Sequence, residues 1–282
     1  MTAERETLDL LAVAEDAAAA ACSVIMQWYQ AADPGARSKA DASPLTEADL
    51  AAHELISSRL RAATPEIPLL SEEGRHAPAS ERRLWRRCWL VDPLDGTREF
   101  LARNDEFTVN IALIEGGRPL LGVVAVPARG EVHSGVVPAQ RAETWRLDDG
   151  ERRPLRCRPF VAEQAVIVAS RSHRGPEQEA IVTDLKTRFP DLKERPAGSA
   201  LKLVEVAAGR ADGYPRHGPT SEWDIAAGEA VVLAAGGALC TWSGAPLRYN
   251  KPDTLMNPDF FAVADPNGAL AQALRELGAG TP

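Results

Sequence analysis

The sequence predicts an α/β protein with an α+β N-terminal half and an α/β C-terminal half. The N-terminal half carries three β-rich runs, FTVNIALIEGG, RPLLGVVAVPARG and EVHSGV, separated by Gly-Gly, Pro and Arg-Gly. Strands punctuated by turn residues in this way are typical of an antiparallel meander. From AVIVAS onward, strands alternate with helical segments, which indicates an α/β arrangement.

Two helices are predicted ahead of the meander. The apolar residues of the first recur at steps of three, four or seven, as on one face of a helix: Leu8, Leu11, Ala18, Cys22, Ile25 and Tyr29. This helix should end before AADPGA, where Pro34 and Gly35 interrupt it. The second is predicted from about Glu47 to Ala63, with Thr46 as its N-cap.

A polar, turn-rich stretch is predicted to separate the two halves. The stretch RLDDGERRPLRCRPF is rich in turn residues, and we place the boundary inside it, which gives domains at 1–155 and 156–282. Helices are expected near 177–189, 200–209 and 224–235, with a strand at ADGYPR.

Composition narrows the class of protein. The chain has 282 residues and a net charge of −8, so no basic surface for coating nucleic acid is expected. Its four cysteines are far apart and form no metal-binding or redox pattern. The charged N-terminal residues do not fit a signal peptide, and no apolar run is long enough to cross a bilayer. We therefore expect a cytoplasmic protein, an expectation that leaves peripheral membrane association open.

Four acidic residues mark the ends of predicted elements: Glu72, Asp92, Asp95 and Asp224. Each alone fits a structural role, because Asp-Pro and Asp-Gly are common in turns and acids near helix starts act as caps. Together they predict a site, since clustered carboxylates repel one another unless cations join them. Oxygen ligands of this kind are those Mg²⁺ prefers, and bound Mg²⁺ would make an acidic pocket attractive to phosphate.

The segment DPLDGT concentrates this chemistry. Pro93 fixes a turn from which two carboxylates and the Leu94 carbonyl can point to one side. Gly96 lets backbone N–H groups approach a phosphate closely, and the Thr97 hydroxyl could hold a water molecule.

These motifs resemble a known family. The acidic pair near Glu72, the DPLDGT segment and WDIAAG resemble the signatures of the inositol monophosphatase superfamily of Mg²⁺-dependent, lithium-sensitive phosphatases. The segments SKADASPLTEADLAAH, FTVNIALI, SRSH, GSALK and YPRHGPTSEWD are similar to those of bacterial 3'(2'),5'-bisphosphate nucleotidases of the CysQ type.

The resemblance implies a layered αβαβα fold and a site between its two halves. It implies two Mg²⁺ sites and a third, weaker one near Glu72. The implied metal ligands are Glu72, Asp92, the Leu94 carbonyl, Asp95 and Asp224. The implied catalytic residues are Asp49 and Thr97, which orient and deprotonate the attacking water, together with Glu72.

The resemblance also implies residues that bind the substrate. They are Gly96 and Thr97 at the transferred phosphate, Lys39 near it, and His173, Ser199, Lys202 and Arg216 around the nucleotide and its second phosphate. Two positions depart from the family pattern. Arg98 stands where lysine is frequent, and His217 follows Arg216 where an aromatic residue is common.

The implied activity is hydrolysis of 3'-phosphoadenosine 5'-phosphate to AMP and phosphate, which would clear a by-product of sulfate assimilation. Two alternatives stay open from the residues: a sugar phosphatase acting on inositol monophosphate or fructose 1,6-bisphosphate, and a phosphate sensor without turnover. Superfamily members are often homodimers, but nothing in the sequence identifies an interface.

Overall fold

The computed structural model describes residues 3–31, 35, 37–38, 44–137, 143–148, 151–170 and 175–279. The elements of the N-terminal half are α1 (Ala3–Gln30), β1 (Arg37–Ser38), β2 (Pro44–Leu45), α2 (Glu47–Ala63), β3 (Leu69–Ser71), α3 (Ala79–Arg82), β4 (Arg87–Asp95), α4 (Thr97–Leu101), β5 (Thr108–Glu115), β6 (Arg118–Val126), β7 (Glu131–Val136), β8 (Glu143–Asp148) and β9 (Glu151–Pro154). Those of the C-terminal half are β10 (Val166–Ser170), α5 (Pro176–Arg188), β11 (Lys193–Ala197), α6 (Leu201–Ala207), β12 (Gly213–Arg216), α7 (Glu222–Ala234), β13 (Ala238–Thr241), β14 (Phe260–Val263) and α8 (Ala269–Ala279). Short 3₁₀ turns lie at Pro127–Arg129 and Ala162–Gln164.

The strands form two principal sheets. A seven-stranded sheet has the order β3-β4-β5-β6-β7-β8-β9, and a five-stranded sheet has the order β11-β10-β12-β14-β13. The predicted meander is confirmed, because β5, β6 and β7 pair antiparallel in succession. In the second sheet β10 pairs parallel with β11 and β12, whereas β14 runs antiparallel to both of its neighbours.

Alternation along the strands places helices on both faces of each sheet. In β4, Trp89 and Val91 face one core and Cys88 and Leu90 face another, as the two-residue period of a strand requires. Helices α1 and α2 cover the first face, α6 and α7 fill the space between the sheets, and α5 and α8 cover the far side. The layers therefore run α, β, α, β, α, which confirms the predicted architecture.

Helix α7 approaches the first sheet unusually closely because two glycines face it. A Cβ built on Gly122 of β6 would lie 2.4 Å from the carbonyl oxygen of Ala227. One built on Gly135 of β7 would lie 2.8 Å from the carbonyl oxygen of Ala230. The helix that begins in the C-terminal half thus packs its backbone against the sheet of the N-terminal half.

One segment differs from the sequence prediction. Part of the polar stretch predicted to separate the two halves forms the antiparallel pair β8 and β9. The Arg152 guanidinium lies 4.4 Å from the centroid of the Trp145 ring and forms an ion pair with Glu15 of α1. Its charge therefore interacts with both an aromatic face and a carboxylate. The domain boundary at residue 155 stays a prediction. No helix in the described part of the chain has the length and apolar character to span a membrane.

Candidate active site

A strand irregularity brings Asp92 and Asp95 together. Residues three apart in a regular strand point to opposite faces. Between the pairs Asp92↔Asn110 and Asp95↔Thr108, however, β4 contains one more residue than β5. This bulge puts both carboxylates on the same side. The Leu94 side chain is buried in the core beneath, so its main chain is what reaches the cavity.

Hydrogen bonds from the neighbouring backbone and strand orient these two carboxylates. Asp92 Oδ1 accepts from the Leu94 N–H at 3.1 Å. Asp95 Oδ2 lies 3.3 Å from Asn110 Nδ2 and 3.4 Å from Thr108 Oγ1. Sequence reasoning did not single out Thr108 and Asn110, although their place on the strand after DPLDGT was a usable signal.

Glu72 and Asp224 approach from two other elements. Glu72 follows β3, and its N–H donates to the carbonyl of Val91, next to Asp92, at 3.0 Å. Asp224 is in the first turn of α7 and forms a capping box with Ser221, whose N–H donates to Asp224 Oδ2 at 2.8 Å. Both line the same cavity as the aspartates of β4.

Asp49 sits behind Thr97 and has a second role in α2. Its Oδ2 accepts from the N–H and the hydroxyl of Thr46, which confirms Thr46 as the N-cap and makes Asp49 the partner in a capping box. Its Oδ1 accepts from the Thr97 hydroxyl at 3.4 Å. Gly96 permits this arrangement, because it adopts a left-handed φ of 90° at the start of α4.

The carboxylates are crowded and Asp92 is fully buried among them, which shifts their pKa values. Burial raises the pKa of Asp92 well above its usual range, and the charges of Glu72 and Asp95 raise it further. Burial, followed by the charge of Asp95, likewise raises the pKa of Asp224. Burial raises the pKa of Asp95 to about 6. A cation among these groups would favour their ionised forms.

The donor set fits a hard cation. In the described residues, no group of three or more His, Cys, Asp or Glu side chains is arranged to hold a metal ion as it stands. The donors are all oxygen atoms, which suits Mg²⁺ rather than a metal that prefers sulfur or nitrogen.

Positive charge also lines this cavity, which has a volume of about 320 Å³. Lys202 of α6 is buried, and its Nζ donates to the Ser199 carbonyl at 2.6 Å. Burial lowers the pKa of Lys202 to about 8, an effect that the charge of Asp95 partly opposes. Arg216 at the end of β12 is also buried and lines the cavity.

The structure thus gathers most of the residues predicted from sequence. The cavity is lined by Glu72, Asp92, Leu94, Asp95, Gly96, Thr97, Ser199, Lys202, Arg216 and Asp224. Asp49 contacts it through Thr97. Lys39 and His173 lie outside the described residues. The individual roles of all these residues stay predictions.

Comparison with known proteins identifies the family. The model of the inositol monophosphatase family matches residues 7–279. The chain belongs to the inositol monophosphatase family. The 3'(2'),5'-bisphosphate nucleotidase CysQ of Escherichia coli O157:H7 is one of its relatives. It is 46% identical over 241 residues, which cover 84% of this chain and 92% of that protein. CysQ of Haemophilus influenzae is 34% identical over 227 residues, which cover 80% of this chain and 82% of that protein.

Solved structures of family members share the fold. CysQ from Bacteroides thetaiotaomicron superimposes with a TM-score of 0.78 at 39% identity, covering 90% of this chain and 96% of that one. The inositol monophosphatase from Anabaena has a TM-score of 0.73 at 25% identity, with 99% and 98% coverage. The family and fold predicted from the motifs are therefore confirmed.

Proposed function

We propose that the protein is a Mg²⁺-dependent 3'(2'),5'-bisphosphate nucleotidase. It would hydrolyse the 3'-phosphate of 3'-phosphoadenosine 5'-phosphate and release AMP and phosphate. The similarity to CysQ proteins over more than four-fifths of the chain supports this substrate class. The activity would serve sulfate assimilation in the cytoplasm.

The observation that carries the proposal is that one cavity is lined both by carboxylates and by two cationic side chains. Asp92 and Asp95 line it from β4, and Lys202 and Arg216 line it from the C-terminal half. A single phosphate needs only the metal-binding carboxylates. The two additional fixed cations suit a substrate with a second phosphate.

The carboxylates of the cavity would hold the Mg²⁺ ions. Glu72, Asp92 and the Leu94 carbonyl would form one site, and Asp92, Asp95 and Asp224 a second, with a third near Glu72. Bound Mg²⁺ would supply positive charge that acidifies a water molecule and neutralises phosphate oxygens.

The Asp49–Thr97 pair would then handle the proton of the nucleophile. Thr97 Oγ1 takes a proton from the attacking water. It passes its own hydroxyl proton to Asp49 Oδ1, with which it already forms a hydrogen bond. The water oxygen forms a bond to phosphorus in line with the bond that breaks, and the 3'-oxygen of the nucleoside leaves and takes a proton from solvent. Gly96, which precedes α4, keeps the backbone beside the phosphate free of a side chain.

A sugar phosphatase is the second candidate, favoured by the likeness to inositol monophosphatases such as the Anabaena protein. The two are separated by a panel of substrates assayed for phosphate release with Mg²⁺: 3'-phosphoadenosine 5'-phosphate, inositol monophosphate and fructose 1,6-bisphosphate. We expect the nucleotide to give the highest kcat/KM and millimolar lithium to inhibit. Faster turnover of a sugar phosphate would overturn the nucleotidase assignment, and absence of turnover on every substrate would favour a sensor.

A further inference from the structure

The turn that follows β12 is fastened by one carboxylate. Asp259 Oδ2 lies 2.8 Å from Nδ1 of His217, and its Oδ1 accepts from the Gly218 N–H at 2.9 Å. Asp259 immediately precedes β14, which pairs with β12 so that Arg216 is opposite Phe260. The two oxygens of Asp259 therefore bind two consecutive residues of the turn from the start of the neighbouring strand.

Arg216 depends on this turn for its position. Its guanidinium Nη2 donates to the Pro219 carbonyl at 3.0 Å, so the arginine at the start of the turn bonds to the residue at its end. Its buried Nε has no hydrogen-bond partner in the described part of the chain. Trp242 packs against the His217 ring, with centroids 5.2 Å apart, and its Nε1 lies 3.4 Å from the Arg216 carbonyl.

Arg216 lies at the boundary between two cavities. Besides the active-site cavity, Arg216 and Pro219 line an adjoining one of about 540 Å³, whose other walls include Glu177, His217 and Asp259. A substrate held at the carboxylates that extended toward this second cavity would pass the guanidinium.

We propose that Asp259 is a positioning residue, which acts through His217 and the Arg216–Pro219 turn to hold Arg216 against the part of the substrate that extends toward the second cavity. The contact between Asp259 and His217 would thereby set specificity for substrates long enough to reach Arg216. The inference rests on the proposed nucleotidase function. It gives a role to His217, which stands where the sequence pattern of the family commonly has an aromatic residue.

The test compares a long and a short substrate in the full-length protein with Mg²⁺. Asp259→Ala and His217→Phe are assayed with 3'-phosphoadenosine 5'-phosphate and with p-nitrophenyl phosphate, which is too small to span both cavities. Asp253→Ala is the matched control, because Asp253 is an exposed acid on the same segment. We expect Asp259→Ala to raise KM for the nucleotide by about 10-fold, as for loss of a charge-assisted hydrogen bond. The kcat for the nucleotide and both constants for p-nitrophenyl phosphate should stay within about two-fold of the parent.

A double-mutant cycle with Arg216→Ala shows whether Asp259 acts through Arg216. The two changes should be strongly non-additive for nucleotide KM, so that Asp259→Ala has little further effect once Arg216 is gone. Additive effects, or equal losses on both substrates, would overturn the inference. Calorimetric binding of 3'-phosphoadenosine 5'-phosphate without Mg²⁺ gives the same comparison independently of turnover. If the parent protein hydrolyses no nucleotide, the proposed function fails, and the binding data still judge the positioning role.

Discussion

The Thr97 hydroxyl donates to Oδ1 of Asp49, a residue 48 positions away, over 3.4 Å. The other oxygen of Asp49 closes the capping box of α2. The Asp49 carboxylate therefore connects the start of α2 to Thr97. One of its oxygens caps the helix and the other faces the active site.

We expect Asp49→Asn to lower kcat by at least about 100-fold, because an amide cannot take the proton that Thr97 passes on. Thr46→Ala is the matched control, since it removes the cap hydroxyl but leaves the carboxylate. It should cost about 1 kcal/mol of unfolding free energy and retain most of kcat. Steady-state kinetics and urea denaturation of both variants check this. If both variants lost kcat equally, Asp49 would act only through the helix cap.

Asp92→Asn should raise the stability of the metal-free protein and lower its activity. Asp92 is buried near Glu72, Asp95 and Asp224, so removing its charge should raise the free energy of unfolding of the metal-free protein at pH 8. The same change should lower kcat by more than about 100-fold and reduce the rise in Tm on adding Mg²⁺. An undiminished Tm rise with Mg²⁺ would remove Asp92 from the metal site.

Lys202→Met should discriminate between substrates. The variant keeps a long apolar stem in the buried site but removes the charge facing the cavity. We expect KM for 3'-phosphoadenosine 5'-phosphate to rise about 10-fold or more, with a much smaller change for inositol monophosphate. Lys193→Met, at an exposed position on β11, is the control. Equal effects of Lys202→Met on both substrates would favour the sugar phosphatase.

Glu229 should make stability depend on pH. It is fully buried in α7, the Tyr249 hydroxyl donates to its Oε2, and burial raises its pKa from 4.5 to about 7. Because the pKa is higher in the folded than in the unfolded protein, folding favours the protonated carboxyl. The contribution of Glu229 to the free energy of unfolding is therefore fully present below about pH 4.5, declines as the pH rises toward 7, and is constant above pH 7.

Glu229→Gln should abolish that decline. The difference in unfolding free energy between the variant and the parent should grow in favour of the variant by up to about 3 kcal/mol between pH 4.5 and 7, at about 1.4 kcal/mol per pH unit. Urea denaturation at a series of pH values measures it. A difference independent of pH would mean that Glu229 does not titrate in this range.

Gly122→Ala should weaken Mg²⁺ binding from outside the site. The added methyl group would meet the backbone of α7, which begins with the residues around Asp224. Overpacking of this kind costs about 1–3 kcal/mol. Gly213→Ala on β12 is the comparison, since its methyl group would first meet the end of the Leu270 side chain, with Cδ2 at 3.0 Å. Mg²⁺ titration followed by Tm should show a larger loss of affinity for Gly122→Ala than for Gly213→Ala.

Local sequence signals predicted much of the fold correctly. Thr46 as the predicted N-cap marked the start of α2, and the Gly-Gly and Arg-Gly turns separated the meander strands. The pair β8 and β9 was missed because ERRP, its second strand, is polar and lacks the alternation of apolar residues that predicts a strand. For the site the limit was a different one. DPLDGT indicated two carboxylates on one side, but the bulge opposite Thr108 and Asn110 depends on strand register.

The glycine contacts between α7 and the first sheet have a consequence for how the site is made ready. Backbone rests on backbone at Gly122 and Gly135, where no side chain can change rotamer to let the helix slide. The spacing between Asp224 and the carboxylates of β4 is thus set when the chain folds. The entropy of bringing these charges together is lost during folding rather than at each encounter with cation or substrate, as in a preorganised site rather than a hinged one.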